Sequence, residues 1–169
     1  MMPTIRINTM TRYGIPKLID GFQLKEGFIL GLEKGNLAYD ILTESHINTL
    51  ITADKYYRYR FREQYDNQLK LKQFGERCTI WDANYTTAMR WLRRTHKRFD
   101  FIYCGAVIFP AKVLWSLCLL PTLVTGVTRH PRMRSKTRLT SRAEQLARRF
   151  HSPLYLTSEP DPMWWFIIS

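Results

Sequence analysis

Short apolar runs alternate with amphipathic helical patterns along residues 28–109, and this alternation constrains the fold more than any other feature of the sequence. Apolar runs bounded by turn residues are typical of buried strands, whereas apolar residues at every third or fourth position indicate helices. The predicted strands cover 28–32, 50–53, 78–81 and 123–127, and a further strand lies within 99–109. The predicted helices cover 37–45, 56–74, 86–95, 111–120 and 142–150. Such alternation produces a mostly parallel sheet with helices on both faces. We therefore predict an α/β fold with a single doubly wound sheet.

The last two predicted strands, 154–157 and 163–168, have no helix between them. Turn-forming residues (Ser-Glu-Pro-Asp-Pro) join them, which predicts a C-terminal antiparallel β-hairpin. A chain of 169 residues is long enough for one globular domain and short for two. We divide it into an N-terminal helical or turn segment, 1–27, and an α/β domain, 28–169.

One apolar stretch, 101–127, raises the question of a membrane span, since about 20 apolar residues cross a bilayer. Lys112 near its middle would cost about 3 kcal/mol there, and Pro110 and Pro121 interrupt it. We therefore expect no membrane partner. A membrane-associated protein anchored by 101–127 stays the least favoured of three functional hypotheses.

The three cysteines are an odd number without metal-ligand spacing, and the four histidines also lack such spacing. These features argue against a disulfide framework and a metal site, and they predict an intracellular, reducing compartment.

The net charge of +12 is concentrated in residues 86–150, which carry 14 basic and 2 acidic side chains. A first basic cluster has the spacing of one helix face: Arg90, Arg93, Arg94 and Lys97. A second basic cluster follows the strand predicted at 123–127: Arg129, Arg132, Arg134, Lys136 and Arg138. Dense positive charge with little acid nearby predicts RNA or DNA as a partner, while a solvated face and an anionic membrane surface are alternatives. The second cluster should lie at the carboxyl end of its strand, and the first should point toward the opposite rim.

Several segments, in chain order, are similar to one family. Residues 29–37 (Ile-Leu-Gly-Leu-Glu-Lys-Gly-Asn-Leu) stand where that family has its glycine loop, and 50–54 resemble its second strand, which ends in an acid. Residues 78–83 (Cys-Thr-Ile-Trp-Asp-Ala) are similar to its third strand, 98–105 (Arg-Phe-Asp-Phe-Ile-Tyr-Cys-Gly) to its fourth, and 164–168 to its closing hairpin. The chain thus resembles class I S-adenosylmethionine-dependent methyltransferases, especially the small O-methyltransferase-like branch. The resemblance implies a Rossmann-like fold and S-adenosylmethionine as cofactor.

The resemblance also implies a set of cofactor-binding residues: Gly31, Glu33, Gly35, Asp54, Asp82, Ala83 and Cys104. Asp54 would bind two ribose hydroxyls and Asp82 would lie near the adenine amino group, although each could instead cap the helix that follows it. Cys104 is disfavoured as a nucleophile, because a lone buried cysteine usually behaves as a small apolar side chain.

The chain departs from the family pattern at the glycine loop and the fourth strand. Gly31 stands at the acid position, Glu33 and Leu37 replace glycines, and Cys104 replaces a carboxylate that ligates metal in some members. Two leading hypotheses remain, with the catalytic residues unknown. One is a methyltransferase that acts on a polyanionic or nucleic-acid-associated substrate. The other is an inactive methyltransferase-like fold that serves as a nucleic-acid-binding or assembly subunit.

Overall fold

The computed structural model describes residues 5–6, 14–31, 36–54, 69–105, 108–128, 139–157 and 163–169. Within these ranges eight strands form one sheet: β1 (Ile5–Arg6), β2 (Glu26–Leu30), β3 (Thr49–Asp54), β4 (Cys78–Asp82), β5 (Phe99–Cys104), β6 (Cys118–Val127), β7 (Tyr155–Leu156) and β8 (Met163–Ile168). The longer helices of the same ranges are α1 (Ile15–Gly21), α2 (Asn36–Glu44), α3 (Tyr85–Thr95), α4 (Ala111–Leu117) and α5 (Leu139–Arg149).

The strand order in the sheet is β1-β7-β8-β6-β5-β2-β3-β4. Strands β2 to β6 pair in parallel, while β8 is antiparallel to both β6 and β7. The predicted fold class is therefore confirmed: a mostly parallel sheet that ends in an antiparallel hairpin. We call the edge where β2 to β6 end the carboxyl edge, and the edge where they begin the amino edge.

Helices cover both faces of the sheet. Buried side chains of α1 and α2, among them Ile15, Ile19 and Ile41, pack with Phe101 and Leu123 of the sheet. The opposite face is covered by α3, α4 and α5, whose small and aliphatic side chains pack over the rings of the other core: Ala88, Leu92, Leu114, Ala143 and Leu146. Helix α1 thus shares a core with the sheet. The division of the chain into an N-terminal segment, 1–27, and an α/β domain, 28–169, stays a prediction.

The junction of α4 and β6 differs from the prediction. The predicted helix 111–120 ends at Leu117, and the strand predicted to start at 123 begins at Cys118 and runs through Pro121. One residue of β5 lies between Phe99 and Phe101, whereas four residues of β6 lie between their partners Cys118 and Leu123, so three residues bulge out of the ladder. Local pattern favoured a continuing helix, but pairing with β5 and β8 makes an extended chain more stable here.

The structure also sets the bounds of two other predicted elements. The strand predicted within 99–109 ends at Cys104, and α5 begins at Leu139, before the helix predicted at 142–150. The described part of the segment 101–127 contains two strands and one short helix, so it does not form one continuous helix. In the part of the chain that the structure describes, no helix has the length and apolarity needed to cross a bilayer. Of the helix predicted over 56–74, residues 56–68 lie outside the described ranges, and 69–72 are helical.

A buried carboxylate ties β5 to β2 at the amino edge. Both carboxylate oxygens of Asp100 accept backbone N–H groups, from Lys25 and from Glu26, each at 2.8 Å. Burial raises the pKa of the Asp100 carboxyl, and the bonds from Lys25 and Glu26 oppose that rise. The Asp of the Phe-Asp-Phe-Ile-Tyr segment thus holds two strands in register.

Replacing Asp100 with Asn should lower the free energy of unfolding by about 1–3 kcal/mol, because an amide accepts only one of the two N–H groups and turns a donor toward the other. Urea unfolding followed by tryptophan fluorescence would measure the change. Asp20→Asn is the matched control, since Asp20 also accepts two groups, both from His46, at an exposed site. Equal losses in the two variants would contradict the structural role of Asp100.

Candidate functional site

The order of the strands reverses between β2 and β5. From β2 the chain builds β3 and β4 on one side, and it then crosses back to place β5 and β6 on the other. Helix α2, which follows β2, and α4, which follows β5, cover opposite faces of the sheet. A crevice opens at the carboxyl edge between two such strands, and ligands of open α/β sheets bind there. We call this place the crossover point.

Two glycines let the backbones approach closely at the crossover point. Gly31 follows β2 with φ of +85°, a conformation that favours glycine, and its N–H donates to the Ala53 carbonyl at 2.9 Å. The N–H of Gly105 donates to the Leu30 carbonyl at 2.9 Å. A Cβ atom on Gly105 would lie 2.7 Å from the Gly31 carbonyl oxygen and 2.9 Å from that of Leu30. Only glycine therefore fits at residue 105 without a backbone shift.

Two acidic residues occupy neighbouring strand ends on the β3 side of the crossover point. Asp54 ends β3 and Asp82 ends β4, and the two are paired in register, so they occupy neighbouring positions of the carboxyl edge. Asp54 is partly buried and Asp82 is exposed. The ladder continues past them through the Ala83 N–H, which donates to the Asp54 carbonyl at 3.0 Å. Neighbouring carboxylates offer only acceptors, so their chemistry suits a ligand that presents hydroxyl or amino groups.

The helix cap predicted as an alternative for Asp82 belongs to another residue. Asn84 is the N-cap of α3, and its side-chain oxygen accepts the Thr87 N–H at 2.9 Å. The capping interpretation of Asp82 is therefore wrong. The residue that would follow Asp54 in a capped helix lies outside the described ranges.

Cys104 reaches the same edge but turns its thiol into the protein. Its side chain is fully buried, and burial raises the pKa of this thiol to about 12 against the opposing effect of the Phe109 backbone N–H. Such a thiol stays protonated at neutral pH and is a poor nucleophile.

Tyr85 lies beside Cys104 and was not among the residues chosen from the sequence. Its ring packs 5.8 Å from that of Phe109, and burial raises the pKa of its phenol, with the nearby Cys104 as a lesser cause. The one sequence signal for it is an aromatic residue at the start of the helix that follows a strand end.

The structure brings five of the predicted cofactor-binding residues to the carboxyl edge: Gly31, Asp54, Asp82, Ala83 and Cys104. Glu33 and Gly35 lie outside the described residues, as do all five members of the second basic cluster. The described chain stops at Thr128, just after β6, and resumes with α5, so the second cluster is joined to this edge at both of its ends. Among the described residues, no three His, Cys, Asp or Glu side chains group in a way that could hold a metal ion.

The first basic cluster lies elsewhere. Arg90, Arg93 and Arg94 are exposed on α3, which runs from the carboxyl edge to the amino edge. The helix ends at Thr95, and His96 adopts a left-handed conformation, so Lys97 lies beyond the helical face on which the sequence pattern placed it. Arg93 and Arg94, in the last turn of α3, therefore lie toward the amino edge, away from the crossover point.

No family model matches this sequence, and no curated protein matches it. Solved structures do match its fold. An O-methyltransferase from Bacillus cereus, crystallised with SAH, has a TM-score of 0.66 at 10% identity, over 96% of this chain and 84% of that chain. A methyltransferase from Geobacter sulfurreducens has a TM-score of 0.66 at 14% identity, over 99% of this chain and 82% of that chain. The methyltransferase domain of bacterial CtHen1-C has a TM-score of 0.61 at 14% identity, over 94% of this chain and 97% of that one.

This chain has an O-methyltransferase-like Rossmann fold. The predicted resemblance is confirmed at the level of the fold. Within this methyltransferase-like domain, β2 to β5 hold the positions of the first four strands of the family, and β8 and β7 form its closing antiparallel pair. The short β1 adds to the sheet beside β7.

Replacing Gly105 with Ala should lower the free energy of unfolding by about 1–3 kcal/mol, because the added methyl group meets two backbone carbonyls that cannot rotate away. Gly21→Ala is the matched control, since a Cβ at Gly21 would meet no atom within 4 Å. Thermal and urea unfolding would compare the two. Equal stability of both variants would show that the backbones at the crossover point do not approach this closely.

Proposed function

We propose that this chain binds S-adenosylmethionine at the crossover point and transfers its methyl group to a phosphate-rich acceptor. The observation that carries the proposal is the paired arrangement of Asp54 and Asp82 at the carboxyl edge, beside the close backbone approach at Gly31 and Gly105. The Bacillus cereus protein of the same fold was crystallised with SAH, which supports a cofactor of this class.

The residues at the edge fit the adenosine end of this cofactor. A ribose offers two adjacent hydroxyl donors and adenine offers an amino donor, and the two neighbouring carboxylates supply acceptors for both. In our proposal Asp54 accepts the ribose hydroxyls, and Asp82 accepts the adenine amino group one strand away. The Ala83 backbone and the backbone at Cys104 border the same place, while Gly31, Glu33 and Gly35 contribute to the loop beside the methionine end.

The sulfonium of the cofactor, when bound, supplies an electrophilic methyl group. The role of the protein's own residues is to hold the adenosine and to bring an anionic acceptor to the carboxyl edge. The second basic cluster, attached to this edge at both ends, supplies cations for phosphate groups: Arg129, Arg132, Arg134, Lys136 and Arg138. RNA or DNA is the acceptor class that this charge favours most. A role of the first cluster in the same contact stays a prediction and is weakened by its position toward the opposite edge.

A second candidate function is a methyltransferase-like subunit that binds nucleic acid without transferring a methyl group. Cys104 favours it, because a buried thiol stands where the family pattern has a carboxylate. Glu33 and Leu37 in place of glycines favour it as well. Cofactor binding separates the two candidates, since an inactive subunit has no need of it.

Isothermal calorimetry with S-adenosylmethionine and S-adenosylhomocysteine tests the cofactor. Asp54→Asn should weaken binding about tenfold or more, because each charge-assisted bond to a hydroxyl contributes about 1.5–3 kcal/mol. The melting temperature should change little. Asp20→Asn, the same change at an exposed site of α1, should bind as the wild type does. Equal affinity of Asp54→Asn would remove the ribose role, and a wild-type protein that binds neither compound would end the cofactor proposal.

Fluorescence anisotropy with single-stranded and duplex oligonucleotides tests the acceptor class. Counterion release makes log affinity fall with log salt by about 0.7 to 0.9 for each phosphate neutralised. Alanine at Arg132, Arg134, Lys136 and Arg138 should reduce this slope by up to about three or four. Alanine at Arg90, Arg93 and Arg94 should reduce it less. A slope that neither set of substitutions changes would contradict a nucleic-acid partner.

A further inference from the structure

Apolar side chains project from the amino edge, on the side opposite the crossover point. The three residues that bulge from β6 are Leu119, Leu120 and Pro121, which we call the leucine bulge. Leu119 and Leu120 are 45% and 47% exposed, and Trp115 on the preceding helix is 54% exposed. Bulges of this kind redirect side chains away from the sheet.

Cations stand on both sides of the leucine bulge. Helices α3 and α5 flank α4 on the same face of the sheet, and each ends at the amino edge with two arginines in its last turn. Together with the two basic residues that lead into β5, these are the helix-end cations: Arg93, Arg94, Lys97, Arg98, Arg148 and Arg149. All six are exposed.

Two contacts show that the cations border the bulge. Arg98 precedes Phe99, which is paired with Cys118 at the base of the bulge. On the other side, the ring of Phe150, which follows Arg149, stacks on Trp115 with centroids 6.0 Å apart.

Few acidic groups face this surface. Of the described residues in 85–157, Asp100 and Glu144 are acidic. Asp100 is buried on the amides of Lys25 and Glu26, and Glu144 is the middle residue of α5, before the turn that carries Arg148 and Arg149. Glu26 begins β2 at this edge, but it is partly buried and accepts the Thr49 hydroxyl. The described residues of 85–157 around the leucine bulge therefore carry net positive charge.

We propose that the leucine bulge and the helix-end cations form a peripheral docking surface for an anionic lipid bilayer. The leucines and Trp115 insert among the headgroups, and the cations bind the lipid phosphates around them. Apolar insertion combined with electrostatic attraction is how proteins without a spanning helix bind membranes. The proposal is independent of cofactor binding, which belongs to the opposite edge.

Two other occupants fit this surface less well. A second copy of the chain, docked symmetrically on the leucine bulge, would bring the helix-end cations of both copies together, and like charges repel. The phosphates of a nucleic acid would pair with the cations, but they would not bury the apolar side chains of the two exposed leucines. An anionic bilayer matches both the apolar centre and the basic surround.

Vesicle sedimentation tests the proposal, with phosphatidylcholine alone and with phosphatidylcholine mixed with phosphatidylglycerol. The full chain should bind the mixed vesicles and bind the neutral ones far less. The double variant Leu119→Ser, Leu120→Ser should bind the mixed vesicles about tenfold or more weakly, since it removes the apolar groups that insert. The double variant Arg148→Gln, Arg149→Gln should also lose about tenfold or more, since it removes two cations that lie near the lipid phosphates.

Matched controls are available on other surfaces. Leu69 is 45% exposed, as the leucines of the bulge are, and Leu69→Ser should bind the vesicles as the wild type does. Arg142 lies in the first turns of α5, toward the carboxyl edge, and Arg142→Gln should change binding by no more than about twofold. Tryptophan emission should shift to the blue on mixed vesicles, and Trp115→Phe, which keeps the stack on Phe150, should remove most of that shift.

Three results would overturn the proposal. The wild type could fail to bind mixed vesicles, or the leucine variant could bind them as the wild type does, which would leave an electrostatic contact alone. The leucine variant could also convert a dimer to a monomer in gel filtration, which would assign the surface to a second copy. Support requires that the leucine variant loses vesicle binding while its melting temperature and its oligonucleotide affinity stay unchanged.

Discussion

The parallel pairing of β2 with β5 determines where the other parts of the molecule lie. These strands are neighbours in space, although Lys25 and Asp100 are 75 residues apart in the chain. The Asp100 carboxylate joins them at the amino edge, and the Gly105 N–H joins them at the carboxyl edge. Because the chain leaves β2 toward one face and β5 toward the other, a crevice must open between them. The paired carboxylates of Asp54 and Asp82 stand beside that crevice because β3 and β4 are in register with β2.

The direction of the connecting helices determines at which edge of the sheet their terminal arginines lie. Helices that connect parallel strands run back across the sheet, so they begin at the carboxyl edge and end at the amino edge. Arginines in the last turns of α3 and α5 therefore reach the amino edge, where cations also complement the negative end of the helix dipole. The second basic cluster follows β6 in the chain and lies outside the described residues. We therefore propose different partners for the two parts of this basic stretch.

The likeness to solved methyltransferases at 10–14% identity concerns the fold. A buried strand needs apolar side chains of suitable shape more than particular residues, so a sheet order survives extensive substitution. The proposed function depends on the few groups at the crossover point, where this chain has a left-handed glycine and a buried thiol at two positions that are acidic in the family pattern.

Local pattern was enough to predict the strands at β2, β3 and β4, helices α2 and α3, and the closing hairpin, because each depends on the spacing of apolar residues along the chain. It also placed Asp54, Asp82 and Cys104 at one edge, since carboxyl ends of parallel strands share an edge. Tertiary packing decided the rest. The capping role went to Asn84, the Cys104 thiol turned inward, and the residues after Leu117 left the helix to pair with β5 and β8. Those outcomes depend on neighbours that are distant in the sequence, and spacing along the chain carries no information about such neighbours.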